Sequence, residues 1–256
     1  MVDSWRRDLL WRQRATTGTR WAVSRRQERS HEYGASMPTE AVDLSDPGTH
    51  HLYELVQAAL ATSLAERPGE DLVAMCLRKP EAEATDALRG SLNRTGAAAG
   101  HLARREASLG VARTDLILQD LPSGQLLAAV EAKAVTAADA LAPLFADWFD
   151  PQVAGDVSKL VRSPSGLRLF LVFKMHWRWM SRPEMYAYPR LLRNTPRTPD
   201  TQLSDDAIAQ ELMVTHAAVV DVLARHGVGH VRAHVLAAGA HPDVGSVVLT
   251  GHMGTL

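Results

Sequence analysis

The stretch "RTDLILQDLPSGQLLAAVEAKAV", residues 113–135, carries two apolar runs joined by Leu121-Pro122-Ser123-Gly124. A turn this short makes flanking extended runs antiparallel neighbours, so strands are expected over Ala112–Gln119 and Gln125–Lys133. Asp115 opens the first run, and Glu131-Ala132-Lys133 closes the second. Side chains alternate along a strand, which puts Glu131 and Lys133 on one side. Hairpin pairing then brings Asp115 beside them, and two carboxylates and an ammonium converge at a sheet edge. The lysine stands out, because the chain has only four (Lys79, Lys133, Lys159 and Lys174) among 28 basic residues.

Outward from this hairpin, the periodicities alternate between helix and strand. Leu52, Leu55, Val56, Ala59, Leu60 and Leu64 have helical spacing from His51, with Pro68-Gly69 as the stop. Further helical turns cover 70–92, interrupted near Pro80. Residues 93–100, with Gly96, three alanines and Gly100, read as a loop, and a strand follows over His101–Leu109. After the hairpin, helices are expected over 137–148 and 151–163. "GLRLFLVF", residues 166–173, is almost wholly apolar, as a central strand covered on both faces is. Ser204 offers an N-cap for a helix bearing Ile208, Leu212, Val219 and Leu223 and ending at His226-Gly227; strands near Val228–Ala237 and Val244–Thr250 close the chain. The order predicts an α/β domain with a central mixed β-sheet flanked by helices.

At 256 residues the chain suffices for one large core with attachments. Residues 1–36 have few aliphatics and eight arginines against four acids, and are expected to form a flexible arm or an extension upstream of a start at Met37. Residues 37–256 are expected to form a single domain. One cysteine, Cys76, excludes a disulfide framework and a Cys-rich zinc module. No apolar run approaches the roughly 18 residues of a membrane helix, and the arginine-bearing N-terminus lacks the apolar core of a secretory signal. A cytoplasmic protein is expected.

The net charge of −1 hides a second basic concentration in "KMHWRWMSRPEMYAYPRLLRNTPRTPD", where six cations up to Arg197 face Glu184 alone. Arginines grip phosphates and aromatic rings stack on bases, so Arg182, Arg190 and Arg193 are expected to contact a polyanion. Trp177 and Trp179, alternating with Arg178, fit better as a continuation of the strand packed on its inner face. Lys159 and Asp156, on the helix after the Glu-x-Lys strand, either contact substrate or brace the cluster.

Asp115, followed after fifteen residues by Glu131-Ala132-Lys133 in a hairpin with a helix before it and a helix and apolar strand after it, resembles the PD-(D/E)XK nuclease superfamily. The resemblance spans about residues 50–175 and implies a restriction-endonuclease-like core. It further implies that Asp115 and Glu131 ligate Mg²⁺ or Mn²⁺ with the Ala132 carbonyl, and that Lys133 serves the attacking water. A helix-borne additional acid is implied as well, for which Glu54 is the first candidate and Glu106 the second. Thr114 stands where the pattern has proline. Hard carboxylate oxygens suit Mg²⁺, which neutralises phosphoryl charge and acidifies bound water.

A surface ion pair between Glu131 and Lys133 would contribute only about 0–1 kcal/mol and need no function. "LLAAV" leading into Glu131 argues instead for a buried strand, where ionised groups are costly unless paired or ligating. The expected activity is hydrolysis of phosphodiester bonds in nucleic acid, DNA rather than RNA, by a homodimer if both duplex strands are cut. Two alternatives remain open: a non-catalytic nucleic-acid-binding or scaffolding member, and a histidine-based metal hydrolase built from His226, His230, His234, His241 and His252. On a strand, His230 and His234 would stand about 13 Å apart, too far to share one ion.

Overall fold

Among the described residues, the order of apolar and polar positions resolves into six strands and six α-helices in a computed structural model. It describes residues 43–256 apart from 79, 110–111, 143 and 183–201, with the backbone alone of 106–109 and 112. The elements are α1 Pro47–Thr62, α2 Gly69–Arg78, α3 Pro80–Gly96, β1 His101–Leu109, β2 Ala112–Asp120, β3 Leu126–Thr136, α4 Ala137–Leu141, α5 Phe145–Val161, β4 Leu167–Met180, α6 Asp205–Arg225, β5 Gly229–His241 and β6 Gly245–Thr255. They belong to one compact unit starting at Pro38. The expected arm, 1–36, lies outside the described residues.

The strands form one mixed sheet in the order β1-β2-β3-β4-β6-β5. β1, β2 and β3 are an antiparallel meander; β3 and β4 are parallel, and β4, β6 and β5 are again antiparallel. The β3–β4 crossover carries α4 and α5, as a parallel connection requires. Alternation along β3 and β4 divides the core. Ala128, Val130, Ala132, Leu169, Leu171, Phe173 and Trp177 face α1, α2 and α3. Ala129, Val135, Phe170 and Val172 face α4, α5 and α6. The apolar 166–173 segment is therefore covered on both faces, as expected.

Several boundaries shift for physical reasons. α1 starts four residues before His51, because the Asp46 carboxylate accepts from the Thr49 N–H at 2.7 Å and Pro47 sits in the first turn. The expected loop 93–100 is instead the end of α3 and a 3₁₀ turn, Ala97–Ala99, closed by Gly100 at φ 74°. Alanines favour the helical continuation, and glycine takes the left-handed stop. The break expected near Pro151 falls earlier, between α4 and α5. α5 runs through Pro151 because one stripe, Phe145, Phe149, Val153, Val157 and Leu160, is thereby buried together. That burial outweighs the roughly 3 kcal/mol cost of an interior proline, since each large side chain contributes about 1.5–3 kcal/mol.

β4 continues past Phe173 to Met180, and Trp177 is buried in the core, as the alternation suggested. Among the described residues one helix, α6, is long and apolar enough to cross a membrane by length and composition. It lies along the sheet, with Ile208, Thr215, Val219, Val222 and Leu223 buried.

Candidate functional site

The ladder between β2 and β3 stops at Leu116↔Val130, while β2 stays paired to β1 as far as Ala112. The two strands thus fork, and although β3 stays paired to β4 as far as Thr136, its amides on the β2 side beyond Val130 lose their strand partner, and a buried donor must be satisfied. Two carboxylates do this. The Ala132 N–H donates to Asp115 Oδ2 at 2.8 Å, and the Ala134 N–H donates to Glu81 from α3. The acids gather at this fork inside the sheet, not at its edge as the hairpin alone suggested.

Glu131 and Lys133 point from β3 toward α5, which crosses the fork and supplies Asp156 and Lys159. Asp156 bridges both lysines: its Oδ2 is 2.5 Å from Lys133 Nζ, and its Oδ1 is 2.5 Å from Lys159 Nζ. Lys159 Nζ also lies 3.5 Å from Glu131 Oε2, and Lys133 Nζ donates to the Ala132 carbonyl at 3.1 Å. Side-chain exposure rises outward, from 1% for Glu131 and 7% for Asp156 to 19% for Lys133 and 36% for Lys159. The cluster is therefore buried at its carboxylate floor and open on its lysine side.

Four carboxylates face two ammonium groups, and the electrostatics reflect that excess. Burial, with the charges of Asp115 and Asp156, pushes the Glu131 carboxyl up to about 8, against the pull of Lys159. Glu81 is also raised, by burial above all, with Lys133 opposing. For Lys133, burial acts against the charged form, but the hydrogen bond and charge of Asp156, aided by Glu81 and Asp115, hold its pKa above the ordinary value. Lys159 is raised in the same way, by Asp156 and Glu131 against burial.

Among the described residues, no group of three or more His, Cys, Asp or Glu side chains is arranged to hold a metal ion. The donor set at the fork nevertheless fits a small hard cation, which takes one or two carboxylates and keeps its waters. Among the described residues, buried Glu131 Oε1 has no hydrogen-bond donor, and the Asp115 carboxylate beside it is a further acceptor. Asp115, Glu131 and the Ala132 carbonyl are the groups that would hold such a cation.

The other expected site residues distribute as follows. Glu54, the first candidate for the additional acid, sits on α1 against Arg232 of β5 at 3.4 Å and takes no part in the fork; Glu81 stands there instead. Sequence reasoning missed Glu81, although its place in the first turn of a helix opening at Pro80 was a usable signal. Glu106 lies on β1, with its side chain outside the described set, as are Arg190 and Arg193 altogether. Arg182 is exposed just beyond β4. Lys174, counted with the basic segment, is wholly buried, and Arg178 pairs with Asp205.

The C-terminal histidines scatter. His226 Nε2 lies 3.2 Å from Asp150, His234 Nε2 is 2.9 Å from Gln57, and His252 stacks on His216. They share no arrangement that would support the histidine-based hydrolase.

The fold and cluster define an α/β protein with a partly open acid–lysine site at a strand fork. No family model, curated protein or solved structure matches the chain.

Proposed function

We propose that the protein is a metal-dependent nuclease with a restriction-endonuclease-like core, hydrolysing phosphodiester bonds in DNA in preference to RNA. One observation carries this reading: Asp115, Glu131 and Lys133 meet on adjoining strands around the Ala132 peptide, partly buried and open on one side. The helix before the hairpin, the crossover helix and the parallel apolar strand β4 are the surroundings that the PD-(D/E)XK resemblance calls for.

Asp115, Glu131 and the Ala132 carbonyl would hold Mg²⁺ or Mn²⁺, which when bound neutralises phosphoryl charge and lowers the pKa of a water. Lys133, kept protonated by Asp156, serves as a fixed donor and point charge that orients the attacking water and stabilises the phosphoryl oxygens. It is not the base, because a base must be unprotonated at working pH. Glu81 takes the place of the additional helix-borne acid. Arg182, with Arg190 and Arg193 from the same basic segment, would hold the backbone of the nucleic acid. Two copies would act together if both strands are cut, and the lone buried Cys76, its thiol pushed up to about 12 by burial, suits a reducing cytoplasm.

Supercoiled plasmid, single-stranded DNA and RNA incubated with the protein in Mg²⁺, Mn²⁺ or chelator test the proposal. Cleavage is expected with either ion, with none in chelator and none by Glu131→Ala. Equal cleavage by both proteins would sink the assignment, and binding without cleavage in any ion would favour a non-catalytic member.

A further inference from the structure

Lys159 differs from Lys133 in one respect that bears on the cation. Lys133 grows from the strand beside the fork, and its ammonium is closed in by the Ala132 carbonyl and Asp156. Lys159 reaches the same carboxylates from the outer helix, touching Glu131 Oε2 and Asp156 Oδ1 while over a third of its side chain stays exposed. Its four-carbon stem can swing the ammonium into water without stranding a desolvated charge. Glu131 has no such freedom: it is fully buried, and among the described residues Lys159 is the cation within salt-bridge distance of it.

An ammonium and a divalent ion that both neutralise Glu131 repel each other strongly at such separations in a partly buried setting. We propose that Lys159 is a tethered counter-cation that neutralises Glu131 until a divalent ion displaces it, and so sets the affinity of the site for that ion. This role rests on the metal-binding reading of Asp115 and Glu131 given above. It also has a chemical use: an ammonium released from Glu131 stays attached at the rim, where a phosphate next to the ion would arrive.

Mn²⁺ binding measured by the loss of its free electron-paramagnetic-resonance signal, without nucleic acid, tests this independently of catalysis. Chelator-treated wild type, Lys159→Gln, Lys159→Arg, Arg162→Gln and Glu131→Gln are compared. Lys159→Gln is expected to bind Mn²⁺ about tenfold more tightly than wild type, within the usual range for coupled sites. Lys159→Arg, which keeps the charge, should stay near wild type. Arg162→Gln removes an equal charge three residues on, at the C-terminal cap of α5, and should move the affinity far less.

Unchanged or weaker binding by Lys159→Gln, even with a lowered Tm, would leave Lys159 a merely structural brace and overturn the proposal. An equal gain in Arg162→Gln would also overturn it, by showing a general field effect. Failure of the underlying reading looks different: wild type and Glu131→Gln would then both bind no Mn²⁺, and the counter-cation role would fall with it.

Discussion

Two polar clusters occupy the same face of the sheet, and burial drives them in opposite directions. At the β2–β3 fork, acids predominate, and desolvation with mutual repulsion raises Glu131 to about 8. Under α6, on β4 and β6, bases predominate. Lys174 Nζ donates to Thr215 Oγ1 at 2.6 Å, His176 Nδ1 lies 3.0 Å from Glu211, and His216 Nδ1 lies 3.0 Å from His252 Nδ1. Burial pushes Lys174 down to about 7, with the Glu211 charge only partly opposing it. His252 is pushed down to about 2, by burial first and then by Lys174 and the neighbouring histidines.

Both clusters thus shed charge as the interior demands, acids by holding protons and bases by losing them. What separates them is access. Lys174 and His252 are sealed in the interior, whereas Lys159, and to a lesser degree Lys133, reaches solvent above the buried Glu131 carboxylate. A sealed polar network secures the packing of α6 on the sheet; an open, acid-rich one is where the proposed cation and phosphate would be received.

The largest effect that would break this contrast is catalytic. Lys133→Ala should lower the rate of phosphodiester cleavage by about 10²–10³-fold, the usual cost of removing one preorganised donor to the transition state. The equivalent loss at the sealed cluster, Lys174→Met, should leave the rate near wild type. Steady-state cleavage assays on both variants check this, and equal losses would erase the distinction.

Stability against pH sharpens the contrast, since the two clusters should slope in opposite senses. Lys174 has a folded pKa depressed from 10.5 to about 7, so between those values the unfolded chain binds the extra proton and stability rises with pH. Glu131 is raised from 4.5 to about 8, so in chelator the folded chain binds the extra proton and stability falls as pH climbs through that window. Each slope can reach about 1.4 kcal/mol per pH unit. Denaturant unfolding should show the first slope abolished by Lys174→Met, which should also be more stable than wild type near pH 7. The second should be abolished by Glu131→Gln, and in wild type it should be flattened by Mg²⁺.

The smallest expected effect lies away from both clusters. Glu54→Gln removes an exposed pair with Arg232 and should change stability by less than about 1 kcal/mol, with cleavage unaltered. A large loss of activity would restore Glu54 as the additional acid and remove Glu81.

Much of this was legible locally. A four-residue turn and a two-residue side-chain period suffice to place Asp115, Glu131 and Lys133 together, because both rules act over a few residues. The helix bearing Asp156 and Lys159 was legible too, down to the possibility that they brace the site. The Lys174-His176 alternation inside an apolar strand was a signal of buried polar groups, but the surrounding arginines drew it into a basic surface instead.

By itself, then, the sequence determined the alternating elements, the hairpin, the two-sided central strand and the trio of charged residues, all consequences of short-range sterics and apolar periodicity. Only the tertiary structure decided that β2 and β3 part beside that trio, that Glu81 and Asp115 fill the amides so exposed, that Asp156 joins two lysines, and that Lys174 and the histidines are sealed beneath α6. Those outcomes depend on which distant faces meet, and on desolvation that exists only after they have met. No local pattern encodes either.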